Sequence, residues 1–161
     1  VIAGRKAQAQ GASFEALFLH ACTHQGIVCT RIPDGCKQLP QGKIRRVKTP
    51  FDWVLTYKNN TALIDTKSID KDTFPHSLID THQALKLLRH DSAGTTSGYI
   101  VWLRKPDLMM YIPAKILCIA MQRPGSIGLD TAGITCLGSL RDLNLRQILL
   151  PHVAEQATIK E

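Results

Sequence analysis

The sequence predicts one α/β domain in which helices flank a central mixed β-sheet. Two stretches carry apolar residues at helical spacing, two short β-branched and aromatic runs flank a polar break, and one later run is almost continuously apolar. The last pattern is typical of a strand that is covered on both faces. A chain of 161 residues is long enough to bury one core but too short for two, so we expect a single domain over 1–161.

The first elements follow from local patterns. Residues 1–10 are small and polar, which favours a flexible arm. Apolar side chains then recur at offsets of three and four, which predicts a helix over 11–24 that ends before Gly26. Residues 27–32 are predicted to form the first strand. The apolar side chains of the helix are Phe14, Leu17, Phe18 and Ala21.

The second half of the chain alternates helices and strands. Ser77 and Asp80 form a weak variant of a capping box, which predicts that a second helix covers 77–90. Pro113 suits the start of a third helix, because its missing N–H costs little there. The remaining predictions are a polar loop over 68–76, strands over 98–104, 108–112 and 134–137, helices over 113–122 and 139–152, and a frayed tail over 153–161.

Two strand-like runs between Thr49 and Lys67 organise the rest of the chain. They flank a polar break at 58–60, which predicts a β-hairpin. Side chains alternate along a strand, so Asp65 and Lys67 share one face. Folding the hairpin brings Asp52 alongside them, to within about one residue of register. Two carboxylates and one ammonium group are therefore predicted to meet on a small patch.

This patch suits a hard metal ion. Burial of an unpaired carboxylate is costly, and a cation removes that cost. Oxygen ligands favour Mg²⁺, with Mn²⁺ as a substitute, and metal-bound waters supply a nucleophile. Lys67 could then orient or deprotonate the attacking water. The alternative is an edge hairpin whose charges are solvated apart from one Asp–Lys pair.

Three further polar residues lie near the apolar faces of predicted helices. Glu15 follows Phe14 and could point its carboxylate towards the acidic patch, although a solvated Glu favoured by the helix dipole is an equally good interpretation. His82 and Gln83 interrupt the buried side of the second helix. Gln83 could hydrogen-bond a metal–water shell or a phosphate, or else lie partly exposed at the helix edge.

Positive charge is distributed unevenly along the chain. The net charge is +7, which favours a polyanionic partner. The segment 33–49 lacks periodicity and is rich in basic residues, so we expect a projecting basic stalk or loop that enters nucleic acid. A solvated flexible loop is the alternative. The predicted DNA contacts are Lys37, Lys43, Arg45, Arg46, Lys48 and Lys71.

The composition also bears on the cellular compartment. No apolar run approaches the length of a membrane span, so no membrane role is expected. The five cysteines include no C-x-x-C pair, which indicates reduced thiols rather than disulfides or a zinc site. We therefore expect a reducing, cytoplasmic location.

Several short motifs resemble those of the RecU-type Holliday junction resolvases, within the PD-(D/E)xK nuclease superfamily. The resemblance covers roughly residues 10 to 113. The hairpin acid is Asp65 where the RecU pattern more usually has Glu, and the superfamily admits both. The matching segments are Gly11-Ala12-Ser13-Phe14-Glu15, Pro50-Phe51-Asp52, Ile64-Asp65-Thr66-Lys67, Thr73-Phe74-Pro75 and His82-Gln83.

The resemblance implies a restriction-endonuclease-like core and metal-dependent cleavage of four-way DNA junctions by a homodimer. It also implies that 33–49 corresponds to the stalk that enters the open centre of a junction. Carried over by position, the implied site residues are Glu15, Asp52 and Asp65 as metal carboxylates, the Thr66 carbonyl as a further ligand, Lys67 as the catalytic lysine and Gln83 as the supporting polar residue.

We therefore expect a structure-selective endonuclease that resolves four-way junctions in recombination and repair by paired symmetric nicks. Two cuts in symmetry-related strands suit a C₂ homodimer, because its two sites stand in the same relation. Two alternatives stay open. One is another PD-(D/E)xK nuclease that acts on flaps, nicks or linear duplex, and the other is a non-catalytic junction-binding protein.

Overall fold

The computed structural model describes residues 14–38 and 44–150, without the side chains of 36–38 and 44–46. The predicted arm and tail lie outside these ranges, and the single domain over 1–161 stays a prediction. The helices are α1 (residues 14–24), α2 (Thr81–Ser92), α3 (Ala114–Ala120) and α4 (Arg146–Leu149), with a 3₁₀ turn at His76–Leu78. The strands are β1 (Val28–Arg31), β2 (Gly35–Gln38), β3 (Ile44–Val47), β4 (Trp53–Tyr57), β5 (Asn60–Ile69), β6 (Phe74–Pro75), β7 (Thr96–Leu103), β8 (Leu108–Pro113), β9 (Ser126–Ile127) and β10 (Thr135–Gly138).

A six-stranded mixed sheet forms the centre of the fold. Its strand order is β1-β4-β5-β7-β8-β10. β5 and β7 run parallel, whereas the other neighbouring pairs are antiparallel. The connection between the two parallel strands contains α2, as a parallel pair requires a crossover. The predicted α/β class, with a mixed central sheet flanked by helices, is confirmed.

Side-chain alternation along the strands builds a separate core on each face of the sheet. One core joins α1 and α4 to the sheet, with Phe18 and Ile148 among its buried side chains. The other joins α2 and α3 to the opposite face through Leu87 and Leu117. Both faces are covered, which explains why β7 is almost wholly apolar.

The predicted hairpin is confirmed. β4 and β5 are antiparallel, with Trp53 opposite Ile64. A two-residue turn joins them, and its first residue, Lys58, takes a φ of 53°, in the left-handed region that tight turns use. β5 continues to Ile69, so the polar loop predicted over 68–76 begins later than expected.

The second helix also begins later than predicted. Residues His76–Leu78 form a separate 3₁₀ turn, and α2 starts directly after Asp80, its N-cap. The Asp80 carboxylate accepts hydrogen bonds from the backbone N–H groups of His82 and Gln83, at 2.9 and 3.1 Å. These bonds satisfy donors that the first turn leaves free. The predicted start at Ser77 is therefore wrong.

The helix predicted over 139–152 is wrong for most of its described length, because within 139–150 the structure has α-helix at Arg146–Leu149 alone. Before that point, the Asp142 N–H donates to the backbone carbonyl of Ser139 at 3.2 Å and to its hydroxyl at 3.3 Å. Such local side-chain hydrogen bonds compete with helix formation. The stretch therefore closes as a turn.

Two strand pairs occur where the sequence predicts loops. In the basic segment 33–49, β2 and β3 are antiparallel, with Lys37 opposite Arg45 in the backbone register. β6 pairs with β9 across a long stretch of sequence. These four strands have two to four residues each and show no alternation of apolar and polar side chains, so the sequence does not reveal them.

The described helices include none that is both long and apolar enough to cross a bilayer. The described thiols are free, and they belong to Cys22, Cys29, Cys118 and Cys136. The side chain of Cys36 lies outside the described part of the chain.

A substitution at Gly98 tests the close contact between β7 and β8. A Cβ atom at this position would overlap the Ile112 carbonyl oxygen and lie 2.9 Å from the Tyr111 ring. We expect Gly98→Ala to lower the free energy of unfolding by about 1–3 kcal/mol, measured by urea denaturation. Gly35→Ala is the matched control, because its Cβ would have ordinary contacts at 3.8 Å or more. Equal effects of the two substitutions would contradict the prediction.

Candidate active site

Asp52 is held between two neighbouring strands immediately before β4 begins. Its backbone N–H donates to the Ile64 carbonyl at 3.0 Å, and its own carbonyl accepts from the Ile32 N–H at 2.7 Å. The Asp52 carboxylate also accepts a long hydrogen bond, 3.5 Å, from the backbone N–H of Thr66. The hairpin therefore brings Asp52 beside the 64–66 stretch of β5, as the sequence predicts.

Alternation along β5 places Asp65 and Lys67 on the face that α2 covers. Leu63, two residues before Asp65, belongs to the core beneath α2, and the other two positions follow at period two. Asp65 is only 1% exposed, whereas the Lys67 side chain is 30% exposed. The acid is thus inside the fold, and the lysine reaches from it towards solvent.

A small polar network surrounds the Asp65 carboxylate. Lys67 Nζ lies 2.5 Å from Asp65 Oδ2 as an ion pair. The Gln83 amide donates from Nε2 to Asp65 Oδ1 at 3.0 Å and accepts at Oε1 from Lys67 Nζ at 3.3 Å. The Tyr99 hydroxyl donates to the same Oε1 at 3.2 Å, and Lys67 Nζ lies 5.1 Å from the centre of the Tyr99 ring. Four side chains from three elements therefore form one connected group.

The chemistry of these groups fixes the orientation of the Gln83 amide. An ionised carboxylate only accepts hydrogen bonds and an ammonium group only donates them. The amide nitrogen must therefore face Asp65, and the amide oxygen must face Lys67. Gln83 is itself buried, and Asp80 positions it by capping the helix through the Gln83 N–H.

One oxygen of the buried Asp65 carboxylate lacks a hydrogen bond. Oδ2 contacts the Lys67 ammonium as a charge pair, but no donor approaches it with hydrogen-bond geometry. A buried carboxylate oxygen without a hydrogen bond is uncommon and costly. With Asp52 nearby, this oxygen fits a hard cation that takes oxygen ligands.

Burial perturbs the titration of Asp65. Loss of solvent is the largest cause and raises the pKa of Asp65 to about 6. The Lys67 ammonium opposes this shift, and the neighbouring Asp52 carboxylate adds to it. The Asp52 and Asp65 carboxylates therefore repel each other, and a bound cation would relieve that repulsion.

Glu15 lies apart from this network and is engaged elsewhere. Its carboxylate forms a two-point ion pair with the Arg31 guanidinium, with N–O distances of 2.8 and 3.1 Å. Both side chains are substantially exposed. Within the described residues, no group of three or more His, Cys, Asp or Glu side chains stands ready to hold a metal ion. Metal ligation by Glu15 and by the Thr66 carbonyl stays a prediction.

The structure describes the side chains of only two of the six predicted DNA-contact residues. Lys48 and Lys71 are exposed. Lys43 and the side chains of Lys37, Arg45 and Arg46 lie outside the described part of the chain. The backbone of the β2–β3 hairpin starts beside the candidate site, because the Ile32 N–H bonds to Asp52.

Sequence reasoning missed Tyr99 and Arg31, and it placed Asp80 inside the second helix instead of at its N-cap. Tyr99 lies on β7 directly beside Asp65 in the parallel register. Its sequence context is an apolar strand, so no local signal distinguishes it from a core tyrosine. The N-cap preference of Asp was the signal available for Asp80.

The raised pKa of Asp65 predicts a pH dependence of stability in the metal-free protein. The folded value of about 6 exceeds the ordinary 3.8, so the protonated carboxyl stabilises the fold below about pH 4, and this contribution is lost as the pH rises through 6. Asp65→Asn removes the titration. Between about pH 4 and pH 8, the variant should gain about 1–3 kcal/mol in free energy of unfolding relative to wild type.

Urea unfolding in EDTA at the two pH values measures this gain. Asp70→Asn is the control, since Asp70 is exposed just beyond β5. A difference between Asp65→Asn and wild type that is the same at both pH values would contradict the burial argument.

Comparison with known proteins leaves the family open. No protein-family model matches the chain, and no curated protein matches it. Among solved structures, the chain is similar to Hjc of Archaeoglobus fulgidus, a Holliday junction resolvase from an archaeal hyperthermophile. The identity is 15%, the TM-score is 0.47, and the match covers 65% of this chain and 77% of that one. At this identity and TM-score, the likeness assigns neither a family nor an activity to the chain.

Proposed function

We propose that this protein is a metal-dependent endonuclease that cleaves branched DNA, with the four-way junction as its substrate. The observation that carries the proposal is the buried Asp65 carboxylate, which has an oxygen without a hydrogen bond, beside Asp52 and next to Lys67. Paired carboxylates and a lysine are the residue types that metal-assisted phosphodiester hydrolysis requires.

The carboxylates of Asp52 and Asp65 would hold the metal, with the Thr66 carbonyl as a further oxygen ligand. Mg²⁺ is the expected ion and Mn²⁺ a substitute, because Mg²⁺ commonly binds one or two carboxylates and keeps several waters. When bound, the ion supplies positive charge to the phosphate and lowers the pKa of a coordinated water. The two carboxylates without a third acid are sufficient for this mode of binding.

Lys67 provides the second chemical function of the site. Its ammonium group is partly exposed and sits between the buried carboxylate and solvent, where it can donate a hydrogen bond to an attacking water or a phosphate oxygen. The Gln83 side chain links the two residues, because it hydrogen-bonds to both Asp65 and Lys67. The lysine is therefore kept at the mouth of the site instead of moving freely in solvent.

The choice of substrate rests on the basic segment and on the sequence resemblance. The β2–β3 hairpin joins the sheet beside Asp52, so an element rich in basic residues starts at the candidate site. Phosphate contacts position a protein on DNA without reading its sequence, which suits recognition of shape. Paired cuts would come from the two sites of a C₂ homodimer.

Cleavage of a labelled immobile four-way junction, beside a linear duplex, a flap and a nicked duplex of matched length, tests the proposal. We expect paired symmetric nicks in the junction with Mg²⁺ and no cleavage with EDTA. Asp65→Asn should lower the rate by about 10²-fold or more, since it removes charge where the reaction needs it. Asp70→Asn, at an exposed position, should cleave as wild type does.

Each contrary outcome identifies one of the alternatives. Equal cleavage of all substrates would leave a nuclease without junction selectivity. Tight junction binding with no Mg²⁺-dependent cleavage would leave a junction-binding protein and would overturn the enzymatic proposal.

Because Glu15 is paired with Arg31, we expect Glu15 to contribute less than Asp65 to the cleavage rate. The Glu15 carboxylate is exposed and already has a partner, so it could assist the metal at most through water unless Arg31 releases it. We expect Glu15→Gln to lower the single-turnover cleavage rate by less than about tenfold, the scale of an exposed ion pair. A loss as large as that of Asp65→Asn would show that Glu15 is a direct ligand and that Arg31 must move.

A further inference from the structure

We propose that Tyr99 is a positioning residue of the candidate active site. Its hydroxyl fixes the Gln83 amide, its ring holds the Lys67 ammonium, and together these contacts keep Asp65 and Lys67 in place. The catalytic consequence rests on the nuclease activity proposed above, whereas the positioning itself is measurable in the metal-free protein.

The fold places Tyr99 beside the acid of the site. β7 runs parallel to β5 with Tyr99 directly opposite Asp65, so the two side chains lie next to each other on the face that α2 covers. Tyr99 is fully buried, and its ring packs edge-on against Phe74 at 6.2 Å. A buried tyrosine hydroxyl needs a hydrogen-bond partner, and here that partner is Gln83 Oε1 at 3.2 Å.

The Tyr99 hydroxyl is a dependable donor in this position. Burial, and then the negative charge of Asp65, raises the pKa of Tyr99 well above its usual range. The group therefore keeps its proton across the working pH range.

The hydroxyl is also the one contact of the Gln83 amide, among the three described, that the proposed chemistry does not use. Asp65 and Lys67 hold the amide in the metal-free fold, but catalysis would engage Asp65 with a cation and Lys67 with water or phosphate. The Tyr99 hydrogen bond stays in place during that exchange. Once Asp65 and Lys67 are so engaged, an amide without the Tyr99 hydrogen bond could turn over and present its N–H group to the Lys67 ammonium, where two donors would face each other.

The ring makes a second contribution to the same geometry. Lys67 Nζ lies 5.1 Å from the ring centre, within the range of a cation–π interaction. This contact favours a position of the ammonium above Tyr99 and beside Asp65. Tyr99→Phe removes the hydroxyl and keeps the ring, whereas Tyr99→Leu removes both, so the two variants separate the contributions.

Hydrogen exchange of the Gln83 side-chain amide tests the positioning without any reaction. In ¹⁵N-labelled, metal-free protein, the Gln83 NH₂ signals are assigned by their disappearance in Gln83→Leu. We expect Tyr99→Phe to speed their exchange with water by about tenfold or more, because one of three anchors is lost. Exchange within twofold of wild type would overturn the inference.

Tyr111→Phe is the matched control for this measurement. The Tyr111 hydroxyl is also buried and donates to the Ser97 carbonyl at 2.9 Å, on the opposite face of the sheet. Its loss costs a comparable buried hydrogen bond without touching Gln83. Equal acceleration of Gln83 exchange in both variants would indicate general loosening of the fold and would contradict a specific role for Tyr99.

Single-turnover cleavage of the four-way junction tests the catalytic consequence. We expect Tyr99→Phe to lower the rate about 10–100-fold, as outer hydrogen bonds to metal sites do, with the junction Kd within twofold of wild type. Tyr99→Leu should lower the cleavage rate further, and the rate of Tyr111→Phe should stay within twofold of wild type. In a Gln83→Leu background, Tyr99→Phe should add nothing, because its effect passes through Gln83.

Additive losses from Tyr99→Phe and Gln83→Leu would overturn the inference, and so would an unchanged rate in Tyr99→Phe. Wild-type protein that cleaves no DNA would instead refute the proposed function. In that case, the amide exchange still decides whether Tyr99 positions Gln83.

Discussion

The burial of one carboxylate, that of Asp65, is the constraint on which the rest of the site depends. A charge with 1% exposure is destabilising unless other groups compensate for the lost solvent. Lys67 supplies charge next to Oδ2 and Gln83 supplies one hydrogen bond to Oδ1, yet Oδ2 accepts no hydrogen bond with good geometry. The fold thus tolerates an incompletely satisfied acid in the middle of its sheet. Such incompletely satisfied, perturbed groups are concentrated at functional sites.

The parallel pairing of β5 and β7 explains why Gln83 and Tyr99 lie beside the Asp65 carboxylate. A parallel pair needs a crossover, and here the crossover contains α2, which then lies over the face that Asp65 occupies. Gln83 comes from that helix and Tyr99 from the strand that follows it. One topological feature therefore supplies two of the side chains that surround the acid. The N-cap at Asp80 sets where the helix begins and thereby which residue reaches the carboxylate.

The two ends of the basic segment lie beside the candidate site. Ile32 and Asp52 are bonded to each other through the backbone, so the segment between them leaves and rejoins the sheet at one place. The same backbone contact that holds Asp52 also fixes the base of the β2–β3 hairpin. On the other face of the sheet, Glu15 is paired with Arg31 and stays apart from the network.

The sequence by itself determined the features that depend on local order. Alternation placed Asp65 and Lys67 on one face, and turn residues predicted the hairpin that brings Asp52 beside them. An interrupted apolar face singled out Gln83. Tertiary structure alone decided that Tyr99 lies beside Asp65 and that Arg31 forms an ion pair with Glu15. The physical reason is range: period and turn chemistry act over a few residues, whereas the register of a parallel pair and an ion pair across elements depend on how distant segments pack.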